Sequence, residues 1–236
     1  MKLKITIFIL LHFVLSHSQK NNLSVTYKCK VIEKKESKLR KMMLDAYPNI
    51  ENNTEKIEFV LNINDNKSSF SVLNNKIFET KELEASLLIL GFLGNVWTDK
   101  DYVYEQQPEN YVYKSCLVKS EVPKNWELIN ETKDIDNYKC YKAIYKKEII
   151  NPRGVFYENI TAWYCPELPY SFGPLGLCGL PGLIIEAQTK NAVYGLYKFN
   201  TDQNSQMIIK PKLDELTTKE YFTITKAKMD EFFKEK

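Results

Sequence analysis

The chain has 236 residues, of which 27% are charged and 44% hydrophobic, and its formal net charge is +3. Its two histidines, His12 and His17, both lie within the first 18 residues. That charge balance excludes a strongly basic nucleic-acid binder. Once an N-terminal leader is removed, nothing is left to build a Ser-His-Asp triad, a Cys-His pair or a histidine-ligated zinc site.

Residues 1–18, MKLKITIFILLHFVLSHS, have the form of such a leader. Lys2 and Lys4 make a positive start, the apolar run 5–15 is too short to cross a bilayer, and Ser16 and Ser18 are the small residues expected before a cleavage at Gln19. Cleavage leaves residues 19–236, about 218 residues, as one domain large enough for its own core. Its formal charge falls to about +1 once Lys2 and Lys4 are gone. The leader has no cysteine to carry a lipid anchor. The longest later apolar run, at 85–97, falls short of the roughly 20 residues of a membrane helix. The expectation is an exported, soluble protein of the periplasm or outer envelope with no transmembrane segment.

The elements then follow in chain order. LSVTYKCKVIE at 23–33 places Val25, Tyr27, Cys29 and Val31 on one face with a period of two, which predicts a strand. The charged stretch 34–49 predicts a short helix or ordered loop. KIEFVLNI and SSFSVLN flank Asn64-Asp65-Asn66-Lys67, a hairpin signal because Asn and Asp tolerate turn geometry. Leu-rich residues 82–93 predict a helix ended by Gly91 and Gly94. From Asp101 onward, short runs rich in Tyr, Val and Ile are separated by Pro108-Glu109-Asn110, by Pro123-Lys124-Asn125, by 134–137 and by 151–154. Connections that short favour antiparallel neighbours. LIIEAQT and AVYGLYKFN are two further strands, joined near Lys190-Asn191. In the tail, Thr217 with Glu220 forms a capping box for a last helix, with Met229, Phe232 and Phe233 as its apolar stripe. The fold class expected is mainly β or α+β: an antiparallel, strongly curled, half-barrel-like sheet with two or three helices, including a C-terminal one. A sandwich is the alternative.

One stretch differs from the rest. Residues 164–186, YCPELPYSFGPLGLCGLPGLIIE, hold four of the eight glycines and four of the nine prolines. The glycine spacing 173, 176, 179, 182 matches neither phosphate-binding fingerprint, and no Lys, Ser or Thr follows Gly182. Leu175, Leu177, Leu180 and Leu183 are too apolar for a solvated loop. The segment is therefore either a structural bend in the sheet or an apolar lip for a ligand or partner. In the second case Trp163, Tyr164, Phe172, Gly173, Pro174, Gly179, Leu180, Pro181, Gly182, Leu183 and Ile184 form the contact surface.

The chain has five cysteines, Cys29, Cys116, Cys140, Cys165 and Cys178, and no C-x-x-C. Cys165 and Cys178 bracket the loop and are candidates for a disulfide; the alternative is two buried, unpaired thiols. Glu167 and Glu186 flank the same loop and are the only acid/base pair considered. Tyr102, Tyr104, Tyr111 and Tyr113 offer a stacking surface for sugars or peptides, or ordinary cross-strand pairs. Asn-x-Ser/Thr triplets at Asn52, Asn66, Asn130 and Asn159 are read as accidents of an Asn-rich composition. No catalytic residue, metal site or cofactor is assigned.

Gly179-Leu180-Pro181-Gly182-Leu183-Ile184, preceded by Ala162-Trp163-Tyr164 and by Ser171-Phe172-Gly173-Pro174, resembles the GLPGLI family of exported proteins from Gram-negative bacteria. Lys142-Ala143 and Arg153-Gly154 are similar to weaker family positions, although the second arginine of that family's arginine-glycine-arginine is absent. The family carries no established activity, so the resemblance implies location and fold more than chemistry. Two functions follow. One is a non-enzymatic binding or accessory protein for an apolar small ligand or an envelope partner. The alternative is a carboxylate-dependent hydrolase using Glu167 and Glu186.

Overall fold

A computed structural model describes residues 22–32, 38–73, 80–110, 113–151, 154–200 and 208–234. The leader at 1–18 and Tyr111 lie outside the described residues.

Alternation of apolar and polar residues builds the first strands as expected. β1 (Asn22–Val31) buries Val25, Tyr27 and Cys29, and β2 (Glu58–Asn64) buries Phe59, Leu61 and Ile63. A two-residue turn joins β2 to β3 (Lys67–Val72), and Asp65 there takes a φ of 52°, which short Asx residues tolerate. The same device recurs between β7 (Trp126–Ile135) and β8 (Tyr138–Asn151), with Asp136 also at 52°. Between these hairpins run β4 (Val96–Thr98), β5 (Tyr102–Gln107) and β6 (Cys116–Glu121). Beyond them come β9 (Gly154–Cys165), β10 (Leu183–Gln188), β11 (Ala192–Phe199) and β12 (Asp214–Thr217).

Among the described residues, twelve strands join one sheet in the order β12-β6-β5-β4-β3-β2-β1-β11-β10-β9-β8-β7. The protein is mainly β. Its two end strands, β12 and β7, do not pair with each other, so the sheet is open, and its pairing does not confirm the strongly curled half-barrel expected from the sequence. One pair departs from the expected antiparallel rule: β12 lies parallel to β6, because the long excursion through β7–β11 brings the chain back in the same direction.

Four helices are present among the described residues, one more than the sequence suggested: α1 (Lys38–Ala46), the short α2 (Ile50–Thr54), α3 (Thr80–Leu90) and α4 (Thr218–Lys234). Helix α3 ends where Gly91 takes a φ of +76°, as its position predicted. The capping box of α4 also forms: Glu220 Oε2 accepts from the Thr217 backbone N–H at 2.8 Å, and Thr217 Oγ1 accepts from the Glu220 N–H at 3.2 Å. Of the apolar stripe assigned to α4, Met229 is 38% exposed, and the side chains of Phe232 and Phe233 lie outside the described residues.

The main core lies on one face of the central strands. Phe59 stacks on Phe70 at 5.3 Å, with Phe92 and Tyr194 edge-on to both. Leu83, Leu87 and Leu90 of α3 cover this cluster. Tyr27 is fully buried there, and its hydroxyl donates to the Ile184 carbonyl at 2.6 Å, tying β1 to the start of β10. Burial drives the Tyr27 hydroxyl pKa well above the usual tyrosine value. No helix among the described residues is long and apolar enough to cross a membrane.

Candidate functional site

Segment 166–182 connects β9 to β10 and is held by backbone bonds to its own flanks. The Leu168 N–H donates to the Cys165 carbonyl, the Gly179 N–H to Ser171 and the Ile184 N–H to Phe172, at 3.2, 3.0 and 3.0 Å. A 3₁₀ turn at Pro174–Gly176 sits at its centre. Leu175, at a φ of 59°, is one of three described non-glycine residues in the left-handed region. That conformation is costly for a γ-branched residue and persists only where surrounding packing imposes it.

The packing is two-sided. Leu168, Tyr170, Phe172 and Leu175 pack against the main core. Leu177 and Leu180 belong to a second cluster on the opposite face of β8–β10, with Ala143, Ala162, Tyr164, Ile184 and Ala187. Leu180 is 2% exposed. The Trp126 indole N–H donates to the Cys178 carbonyl at 2.9 Å, fastening the edge strand β7 to the loop.

Two glycines show why side chains are excluded here. A Cβ on Gly182, at a φ of +156°, would lie 2.2 Å from the Cys165 carbonyl oxygen. One on Gly176, at +75°, would meet Val103 at 2.5 Å and Val96 at 2.9 Å. The loop therefore touches β4 and β5 on one side and β9 on the other. Gly173 is needed for a different reason, since its backbone is extended and Ile184 lies directly against it.

The structure gathers most of the residues assigned to the loop from sequence and turns most of them inward. Gly173, Pro174, Leu180, Gly182, Leu183 and Ile184 are buried, and Tyr164 is buried with its ring 6.0 Å from that of Tyr141. Trp163 and Phe172 are half-buried, while Gly179 and Pro181 are exposed.

The carboxylates that flank the loop have different surroundings. Lys133 Nζ binds Glu186 Oε1 at 2.7 Å and sits 4.5 Å from the Trp163 ring centre, whereas Glu167 is exposed. Glu186 is thus neutralised by a lysine on β7, an arrangement that suits a half-exposed structural ion pair more than a general acid.

All five cysteines are buried free thiols. Burial pushes Cys178 and Cys29 up to about 12, and burial together with the neighbouring Cys165 pushes Cys140 up to about 11. None of these three supplies a thiolate nucleophile at neutral pH. Cys165 and Cys178, the pair considered from sequence, stand as separate thiols in this structure. Cys165 faces the main core, while Cys178 pairs with Phe172 and lies near Tyr145 on the other face.

The tyrosine cluster divides into two parts. Tyr102 and Tyr104 are capped by cations, Lys119 Nζ at 3.7 Å from the first ring and Lys210 Nζ at 3.5 Å from the second. Tyr113 instead packs edge-on to Tyr221 of α4. The capped faces are occupied by the chain's own lysines, which leaves little stacking platform.

Sequence reasoning missed a polar pocket of about 430 Å³ between the β2–β3 and β4–β5 turns, lined by Asp65, Lys67, Asp99, Lys100, Asp101 and Ile208 among others. Partial burial opposes ionisation of Asp99, but the backbone N–H groups of Asp101 and Tyr102 outweigh it and hold the carboxyl below its ordinary value. Asp99 is therefore committed to its own turn. The signal for this pocket was the pair of Asp/Asn/Lys turns, 64–67 and 99–101, which can be recognised as meeting only once the strand order is known.

The profile of a family described as "Protein of unknown function (Porph_ging)" matches residues 155–186, which span most of β9, the loop and the start of β10. No curated protein matches the chain. Among solved structures the chain is similar to "Structure of PNGF-II in C2 space group" and "Structure of PNGF-II in P21 space group", at 14% and 13% identity and a TM-score of 0.48 in each case. The alignments cover 88% and 89% of this chain but only 33% and 34% of those chains, so it spans about a third of their length.

Proposed function

We propose that the chain is an exported protein of the cell envelope, as its resemblance to the GLPGLI family implies, and that it is a non-enzymatic accessory protein acting through a protein partner. The single observation that carries this is the distribution of apolar surface. The leucines of the loop are enclosed by the protein's own sheet, while Val155, Phe156 and Tyr157 on β9 stand 53%, 46% and 60% exposed. A small apolar ligand would need the enclosed set, whereas a protein partner can use the exposed one together with the exposed Gly179 and Pro181.

Several finer features belong to the same reading. Residues 1–18 act as the signal peptide, and residues 19–236 behave as a single domain, supported by the one sheet that all strands join. The two halves of that sheet face each other across the loop in a half-barrel manner. In support, Lys147 Nζ of β8 lies 2.9 Å from Glu105 Oε1 of β5, although these strands stand eight places apart in the order. In a flat sheet that separation would be roughly 38 Å.

The test uses a photo-crosslinking residue placed in turn at Phe156, Pro181 and Leu180 in cells producing the full chain. A discrete protein adduct at Phe156 or Pro181, absent at buried Leu180, is expected. An envelope-located protein with no adduct at either exposed position would overturn the partner reading. The hydrolase alternative is met by Glu167→Gln combined with Glu186→Gln, which is expected to complement a deletion fully. Loss of complementation by a folded double variant would favour catalysis.

A further inference from the structure

The register of β8 and β9 sets Tyr141 opposite Tyr164, Lys142 opposite Trp163 and Ala143 opposite Ala162. Carried one step further, that register sets Cys140 against Cys165, the last residue of β9, and Cys165 is close enough to act electrostatically on the Cys140 thiol. Both are fully buried and both belong to the main core cluster. We propose that Cys140 and Cys165 form a cross-strand disulfide when the chain folds in contact with a disulfide donor.

The geometry favours this pair over every other. Directly opposed residues of an antiparallel pair have Cα atoms about 4.5 to 5.5 Å apart, within the roughly 4.4 to 6.8 Å that a disulfide spans. Cys140 Sγ otherwise makes only weak contacts, donating to the Tyr138 carbonyl at 3.5 Å and meeting the Ile135 backbone, so little is lost by turning it toward Cys165. The remaining cysteines are placed elsewhere: Cys29 Sγ donates to the Thr54 carbonyl, Cys116 stands opposite Asp214 on β12, and Cys178 lies beside Tyr145. One intramolecular pair plus three single thiols also accounts for an odd number of cysteines.

The chemistry is thiol–disulfide exchange. One cysteine thiolate attacks a sulfur of the donor, giving a mixed disulfide and releasing one donor thiol. The second cysteine attacks that mixed disulfide and releases the other. Two electrons and two protons pass to the donor, which ends as two thiols, and one S–S bond joins the strands. Because both sulfurs are enclosed in the finished sheet, exchange takes place while β8 and β9 are pairing. The bond pins the strand end from which the Gly/Pro loop departs. The pairing itself does not depend on export; only its occupancy in the cell does.

Refolding the full chain from denaturant with a glutathione redox buffer, then counting thiols by alkylation after denaturation, tests this directly. The expected result is a fall from five thiols to three, a mass about 2 Da lower, and a non-reduced peptide map joining the Cys140 and Cys165 peptides. Five remaining thiols, glutathione adducts alone, or a map joining Cys165 to Cys178 would overturn it. Cys178→Ser is expected to keep the bond and Cys140→Ser to abolish it. Should either variant fail to fold, the map of the unaltered chain decides.

Discussion

The start of β9 and the loop that follows it both hold glycine and apolar residues but do not share a role. At the strand's start Gly154 has a φ of +130° and an added Cβ would meet nothing within 4 Å, and Val155, Phe156 and Tyr157 then run exposed. After it, segment 166–182 has glycines pressed against backbone and leucines enclosed on both faces of the sheet. Glycine and apolar residues are therefore not by themselves a sign of function. What distinguishes the strand start from the loop is whether the space around it is already filled by the chain.

The sharpest way to break this comparison is to add one methyl group to each side of it. Gly182→Ala places carbon 2.2 Å from the Cys165 carbonyl, a backbone atom that cannot rotate away. The expected loss exceeds about 4 kcal/mol, seen as insoluble or unfolded protein. Gly154→Ala carries only the conformational strain of its φ, about 1 to 2 kcal/mol by chemical denaturation. Equal losses at the two positions would mean that crowding is not what sets the loop apart. A smaller contrast of the same kind comes from truncation. Leu180→Ala is expected to cost about 3 kcal/mol through the cavity it leaves, while Phe156→Ala should stay within about 0.5 kcal/mol.

That contrast also shows what could be read from the sequence. Period-two runs such as Val25, Tyr27 and Cys29 announced their strands, because a half-buried strand must alternate. Turn residues announced the hairpins at Asp65 and 136–137, because few residues accept a positive φ. The loop itself was recognisable as unusual from its glycines and leucines. Its inward orientation was not, because that depends on β3, β4 and β5 lying against its 3₁₀ turn, across seventy residues of chain. The proposed pairing of Cys140 with Cys165 was hidden for the same reason, since it follows from extending the strand register and not from spacing. The parallel β12 escaped because a four-residue strand of charged and apolar residues has no legible period.

Alkaline pH probes the enclosed region as a whole. Cys29 and Cys178 are raised to about 12 and Cys140 to about 11, above the ordinary thiol value. A folded-state pKa above the unfolded one means that the unfolded chain loses its proton first. The stabilisation is then complete below about pH 9 and is lost as pH rises toward 11 to 12. Denaturation curves should show a decline of about 4 kcal/mol, summed over the three thiols, between pH 8 and pH 10, with no matching change between pH 6 and pH 8. In protein carrying the Cys140–Cys165 bond, Cys140 no longer titrates and the decline should be smaller. A flat profile to pH 10 would indicate that the thiols are more accessible than the packing implies.

The smallest effect bears on what holds the two halves of the sheet near each other. Lys147 and Glu105 bridge β8 and β5 at 2.9 Å, but their side chains are 38% and 35% exposed. An ion pair that wet is worth about 0.5 kcal/mol after screening and the entropy of ordering both side chains. The loop, by contrast, presents enclosed leucines and two glycine contacts that admit no atom between chain segments. If packing of the loop is the fastening, the Lys147→Met and Glu105→Gln variants in a double-mutant cycle should show a coupling of about 0.5 kcal/mol, falling further in 0.5 M salt. A coupling above about 2 kcal/mol would reverse the assignment. The ion pair would then be the clasp, and the crowded loop would be filling a space that other contacts had already closed.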